Sequence, residues 1–208
     1  MSTRRLRGLY AITDPRLTPE PTLRAQVAAA IAGGAALVQY RHKEADAATR
    51  RREAGALLGL CRERGVALLL NDDVALAREL GTDGVHLGRH DADPGAARAA
   101  LGPQALIGVS CYNELARARG ACAAGADYVA FGRFFPSRTK PEAVPAEPAL
   151  LTQAGAELDC PLVAIGGITA DNGAQLIAAG ADMLAVIDGL FGQADVEGAA
   201  RRIAALFA

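Results

Sequence analysis

The stretch Gly180-Ala181-Asp182-Met183-Leu184-Ala185-Val186-Ile187 (GADMLAVI, 180–187) decides the architecture. Its glycine closes a helix, because Gly just past a helix end takes the left-handed conformation without a Cβ penalty. The apolar run Met183–Ile187 then reads as a short strand buried on both faces, the pattern of a parallel sheet. The same junction recurs at Gly33-Gly34-Ala35, Gly81-Thr82-Asp83 and Gly125-Ala126-Asp127. Four similar helix-stop-strand junctions imply one unit reused along the chain.

Working outward, the chain alternates short apolar runs with Ala/Leu/Arg-rich amphipathic stretches. Strands are predicted at Leu9–Thr13, Leu37–Arg41, Ala67–Asn71, Gly84–Leu87, Leu106–Ser110, Tyr128–Phe131, Leu162–Ile165 and Met183–Ile187. Helices follow at Thr22–Ile31, Asp46–Arg64, Val74–Leu80, Pro94–Leu101, Asn113–Ala124, Pro148–Ala156, Asp171–Ala179 and Val196–Phe207. Eight such units predict an α/β fold, a single (β/α)8 TIM-barrel domain over residues 1–208. A flavodoxin-like open sheet is the rival, and no edge-strand signal favours it. The one irregular stretch is Gly132–Glu147 (GRFFPSRTKPEAVPAE), whose three prolines exclude a helix or strand. A loop this long in a compact chain is usually functional or disordered.

Composition excludes several functions. The 208 residues are 51% hydrophobic, enough for a sizeable core. With 22 Lys+Arg against 23 Asp+Glu there is no basic footprint for nucleic acid. No apolar run approaches the ~20 residues of a membrane span, and no signal-peptide h-region precedes Asp14. The four cysteines, Cys61, Cys111, Cys122 and Cys160, lack C-x-x-C spacing. Reduced thiols in a cytoplasmic protein are the expectation.

In such a barrel the chemistry sits at the C-terminal ends of the strands. There the sequence places Gln39-Tyr40-Arg41-His42-Lys43, Asn71-Asp72-Asp73, His86 followed by Asp91, Ser110, Ser137-Arg138-Thr139-Lys140, Gly166-Gly167 and Asp188. Lys43 and Lys140 are the only lysines of the chain, and both fall at this rim. Cations there suit a phosphate; salt bridges from Arg41 and Lys43 to Glu44 or Asp46 are the structural alternative. Asp72 and Asp91 suit Mg²⁺ shared with substrate phosphates. Asp72 could instead cap the helix starting at Val74, but Asp73 is the better-placed cap. The Gly-rich turn Ile165–Thr169 suits a phosphate at its backbone N–H groups. His86 reads as a packed, hydrogen-bonded histidine, and His42 and His90 as exposed loop residues. No Ser-His-Asp order, zinc spacing or Walker motif is present.

Taken together, GLYAITD, VQYRHK, LLNDD, GVHLG followed by Asp91, IGVS, ADYVAFGRFFPSRTK, VAIGGITADN and GADMLAVIDGLF resemble the thiamine-phosphate synthase family along nearly the whole chain. The resemblance implies a barrel enzyme joining 4-amino-2-methyl-5-pyrimidinylmethyl diphosphate to 4-methyl-5-(2-hydroxyethyl)thiazole phosphate, with thiamine phosphate and pyrophosphate as products and one Mg²⁺ per active site. Both partners are small molecules; a homo-oligomer is left open. By the same resemblance Gln39, Arg41, Lys43 and Asn71 bind the pyrimidine diphosphate, Asp72 and Asp91 hold Mg²⁺, Ser110 meets the pyrimidine end and Lys140 the diphosphate. Ser137 and Thr139, with Arg138 beside them, meet the thiazole phosphate, joined by Gly167 and the Ile187-Asp188 backbone. Tyr40 and His42 are counted among the substrate-binding residues as part of the same rim segment.

The chain departs from the common family pattern at several positions. Asp188 stands where Ser is frequent, so its side chain is expected to turn away from the phosphate. Arg89-His90, Pro145-Ala146 and His42 also differ. A thiazole tautomerase on the same barrel and a non-catalytic barrel that binds thiamine precursors are the alternatives. The first has no use for a diphosphate site.

Overall fold

The computed structural model describes residues 6–136 and 144–208. Eight parallel strands close into a barrel in sequence order, with β8 returning to pair with β1. They are β1 (Gly8–Ile12), β2 (Ala35–Tyr40), β3 (Ala67–Asn71), β4 (Gly84–Leu87), β5 (Leu106–Tyr112), β6 (Tyr128–Phe131), β7 (Leu162–Ile165) and β8 (Met183–Val186). The intervening helices are α1 (Glu20–Ala32), α2 (Ala47–Arg64), α3 (Val74–Leu80), α4 (Pro94–Leu101), α5 (Leu115–Ala123), α6 (Ala149–Glu157) and α7 (Gly173–Ala178). After β8 come a one-turn helix α8 (Asp188–Phe191), then α9 (Val196–Ala204) and a 3₁₀ turn over Ala205–Phe207. The predicted elements lie where expected to within about two residues, the usual scatter of helix ends. The exception is α8, too short for any periodic signal.

Side chains alternate across the strands. Tyr10, Leu37, Leu69, Tyr128, Val163 and Met183 fill the barrel interior. Leu9, Val38, Tyr40, Leu68, Leu70 and Val129 face outward into the helix layer. Gly108 of β5 is interior as well, and a Cβ there would overlap the Tyr128 ring. The missing side chain is therefore what admits a tyrosine across the barrel axis.

The repeated Gly-x-Asp junction has a structural role. Asp83, Asp127 and Asp182 each stand just before a strand and accept a hydrogen bond from the first residues of the preceding strand. Asp83 Oδ2 takes the Leu68 N–H at 2.8 Å, Asp127 Oδ2 the Ile107 N–H at 2.7 Å, and Asp182 Oδ2 the Leu162 N–H at 2.9 Å. Each carboxylate thus ties two adjacent strands at the N-terminal face, away from the rim that carries chemistry. Asp182→Ala removes an acceptor from a part-buried N–H, so it should cost about 1–3 kcal/mol of stability. Denaturant unfolding beside steady-state kinetics checks this: stability falls while kcat stays at the wild-type value.

The expectation of four reduced thiols is corrected at one pair. Cys122 at the end of α5 and Cys160 just before β7 form a disulfide, with Cα atoms 6.3 Å apart and a sequence separation of 38. The two elements flank β6, so closing the barrel brings them together. Cys61 and Cys111 remain thiols, buried in the helix layer, and burial pushes both up to about 12. Among the described residues no helix is long and apolar enough to cross a membrane.

Candidate active site

The C-terminal ends of the strands open onto a cavity of about 340 Å³. Gln39, Arg41, Asn71 and Ser110 line one part of it, and Gly167, Ile187 and Asp188 another. A second pocket of about 290 Å³ adjoins it at Asn71 and carries Lys43, Asp72 and Asp73.

The cationic side is built at the end of β2. Arg41 is fixed through its backbone, whose N–H donates to Thr13 Oγ1 at 2.8 Å. Burial lowers the Arg41 pKa, while the Asp14 and Asp72 carboxylates act in the opposite sense. A part-buried cation of this kind is poised to gain from an anion. Lys43 places Nζ 2.9 Å from Asp72 Oδ2. The alternative pairing of Lys43 with Asp46 is not observed, since Asp46 caps α2 by accepting from the Thr49 N–H at 2.7 Å.

The acidic side comes from β3 and β4. Asp72 adopts a left-handed backbone with φ of 65°, a conformation that Asp and Asn tolerate. Its N–H donates to the His86 carbonyl at 2.9 Å, and Asn71 Nδ2 donates to its Oδ2 at 2.5 Å. Asp73 Oδ1 caps α3 through the Leu76 N–H at 3.0 Å, which leaves Asp72 free of that duty. Asp91 Oδ2 accepts from the Gly88 N–H at 2.7 Å. The two carboxyls converge on Gly88, where a Cβ would lie 2.6 Å from Asp91 Oδ2 and 3.9 Å from Asp72 Oδ1. Burial and the facing Asp72 carboxyl raise the Asp91 pKa. At Asp72 burial acts upward too, but the Asp91 hydrogen bond, Lys43 and Asn71 outweigh it and the pKa falls. Two carboxylates this close need a proton or a cation between them. The all-oxygen donor pair fits a hard divalent ion with most of its positions left to water and phosphate.

Beneath the cavity a buried polar chain crosses the barrel. Gln39 Nε2 donates to Tyr10 Oη at 2.5 Å, and the Tyr10 and Tyr128 hydroxyls are 2.8 Å apart. Tyr128 Oη lies 2.9 Å from His86 Nδ1, and His86 Nε2 lies 2.8 Å from Ser110 Oγ. His86 is thus the packed, hydrogen-bonded histidine expected. Tyr10 and Tyr128 were not anticipated as polar partners. The alternation in GLYAIT and YVAF could have flagged them, because it sends both to the interior face, where a buried hydroxyl requires a partner.

Tyr40 lines the second pocket, and strand alternation turns its side chain outward beneath α2, where its hydroxyl donates to Glu53 Oε2 at 2.6 Å. His42 also lines that pocket; expected as an exposed loop residue, it is half-buried, with Nδ1 3.0 Å from the same Glu53 oxygen. Asp188 Oδ1 lies back along its own helix, 3.0 Å from where a Cβ at Gly192 would be. Gly167, with φ of 66°, is held by Asn172, whose Nδ2 donates to its carbonyl at 3.0 Å. Ser137, Arg138, Thr139 and Lys140 lie outside the described residues.

With the rim in view, comparison with known proteins is decisive. A family model described as thiamine monophosphate synthase matches residues 9–190. The chain belongs to the thiamine monophosphate synthase family. A thiamine-phosphate synthase of Azoarcus sp. (strain BH72) is 57% identical over 204 residues, spanning 98% of each chain. That of Acidithiobacillus ferrooxidans (strain ATCC 53993 / BNL-5-31) is 54% identical, over 96% of this chain and 94% of its own. The solved thiamine phosphate pyrophosphorylase of Pyrococcus furiosus superposes with a TM-score of 0.88 at 33% identity, covering 99% of this chain and 96% of that one. This member of the thiamine monophosphate synthase family is therefore an enzyme, a transferase of thiamine biosynthesis.

Proposed function

We propose that the chain condenses 4-amino-2-methyl-5-pyrimidinylmethyl diphosphate with 4-methyl-5-(2-hydroxyethyl)thiazole phosphate, by Mg²⁺-assisted substitution in which the C–O bond breaks before the new C–N bond forms. The observation that carries this reading is the convergence of the Asp72 and Asp91 carboxyls on Gly88, with Lys43 Nζ 2.9 Å from Asp72 and Arg41 lining the adjoining cavity. Mg²⁺ held by Asp72 and Asp91 would neutralise charge on the departing pyrophosphate. Arg41 and Lys43 add fixed positive charge on the same side, and Lys140 is assigned there by the family resemblance.

The electron-rich aminopyrimidine spreads positive charge at its methylene carbon, so no covalent nucleophile and no strong base is needed. The protein's remaining task is to hold the thiazole nitrogen near that carbon and to exclude water. The apolar walls from Ile12, Val163 and Ile165 suit that task. Gly167 and the backbone at Ile187-Asp188 are assigned to the thiazole phosphate, and the retracted Asp188 carboxylate is compatible with an anion there. A thiazole tautomerase would leave the acidic pair and its lysine without a role.

Pyrophosphate release with both substrates tests this reading. Release should stop in EDTA and return with excess Mg²⁺, and thiamine phosphate should form only when both substrates are present. Release that persists in EDTA would overturn the metal assignment.

A further inference from the structure

The cationic segment Arg41-His42-Lys43 lies beyond Tyr40, the last residue of β2, so the strand ladder no longer sets its direction. A carboxylate of the helix layer takes over that task. Glu53, in the second turn of α2, is 6% exposed and lines neither cavity. Its Oε2 accepts from Tyr40 Oη at 2.6 Å and lies 3.0 Å from His42 Nδ1. An ionised carboxylate only accepts, so Nδ1 of His42 carries a proton and donates. Burial and the Glu53 bond push the Tyr40 hydroxyl well above its ordinary value, which keeps it a donor as well.

A carboxylate buried this far is costly without hydrogen-bond partners. The arginines beside it do not supply them, because Arg51 pairs with Glu79 and Arg52 with Glu20. The two donors that Glu53 takes are residues i and i+2 of one extended segment, which share a face. Arg41, between them, is thereby turned to the opposite face, where it lines the main cavity with Gln39. The loop is anchored to the same helix again at Asp46, the cap of α2. Lys43 lies between these two anchors, and its Nζ reaches Asp72 at 2.9 Å. His42 is one of the positions at which the chain departs from the common family pattern, so that half of the clamp belongs to this chain.

We propose that Glu53 is a positioning residue for the pyrimidine diphosphate: by holding Tyr40 and His42 outward, it aims Arg41 and Lys43 at the leaving group without touching the substrate itself. Without Glu53 the Tyr40 hydroxyl and the His42 N–H turn to water, and the segment between them loses its fixed direction. The inference rests on the synthase reading above.

The test measures kcat and the KM of each substrate in the wild type, Glu53→Ala, Glu53→Gln and Tyr40→Phe, with thermal melts alongside. Glu53→Ala should raise the KM of the pyrimidine diphosphate by about tenfold or more and leave that of the thiazole phosphate within about twofold. Glu53→Gln should stay within about threefold of the wild type, since the Gln carbonyl can accept from both donors. A structural role alone would lower the active fraction, and so kcat, while leaving both KM values where they were. Should Glu53→Ala not fold, Tyr40→Phe carries the test. It removes one of the two bonds and keeps the ring, and should raise the diphosphate KM by about threefold or more. A folded Glu53→Ala, or in its place Tyr40→Phe, with the wild-type diphosphate KM overturns the proposal and leaves the synthase reading intact. So does a rise shared equally by both substrates, or a Glu53→Gln as impaired as Glu53→Ala. A wild type that releases no pyrophosphate from the two substrates overturns both.

Discussion

Asp72→Asn lowers pyrophosphate release by about 10²-fold or more at ordinary Mg²⁺ concentration, while the thermal midpoint stays within about 4 °C of the wild type. Asn is the informative substitution because residue 72 sits at φ 65°, where Ala would add backbone strain and confuse stability with chemistry. The change removes one of the two carboxylates that converge on Gly88 and leaves Lys43 without its partner. In the folded protein without substrate the change removes a half-exposed ion pair with Lys43, so stability falls by only about 1 kcal/mol or less. During turnover the loss is one-sided, since charge on the leaving pyrophosphate is met by less positive charge. A Mg²⁺ titration of the rate should also move to higher concentration. Unchanged turnover in the variant would remove Asp72 from the mechanism.

Gly108→Ala has the larger effect on folding. The new Cβ would overlap the Tyr128 ring and hydroxyl, and Tyr128 is wholly buried between opposite walls of the barrel. Overpacking of this kind costs about 1–3 kcal/mol even where the side chain can yield. Here any retreat of Tyr128 also stretches its bonds to Tyr10 and His86, so the upper end of that range applies. Denaturant unfolding measures it directly. A variant as stable as the wild type would mean that the Tyr128 ring has room to shift.

The reach of sequence reading differs between residues for identifiable reasons. Asp73 as the cap of α3, and Gly81 in the left-handed region at that helix's end, depend on neighbours within a few residues, and both stand where the local pattern predicts. Tyr40 shows the limit. It sits in a rim segment with Gln39, Arg41 and Lys43, but strand alternation sends it to the helix layer, where Glu53 of α2 meets its hydroxyl. The Cys122–Cys160 pairing likewise had no local sign, because the two residues meet only when α5 and β7 pack on either side of β6.

Hydrophobic period and Gly-x-Asp punctuation are properties of a few consecutive residues, so the amino-acid sequence alone determined the eight-unit barrel and the rim on which its charged residues gather. Tertiary structure decided which of those residues touch. The approach of Asp72 to Asp91 and the chain from Gln39 to Ser110 join residues in or just after different strands, and only closure of the sheet sets the distances on which their electrostatics and hydrogen bonding depend.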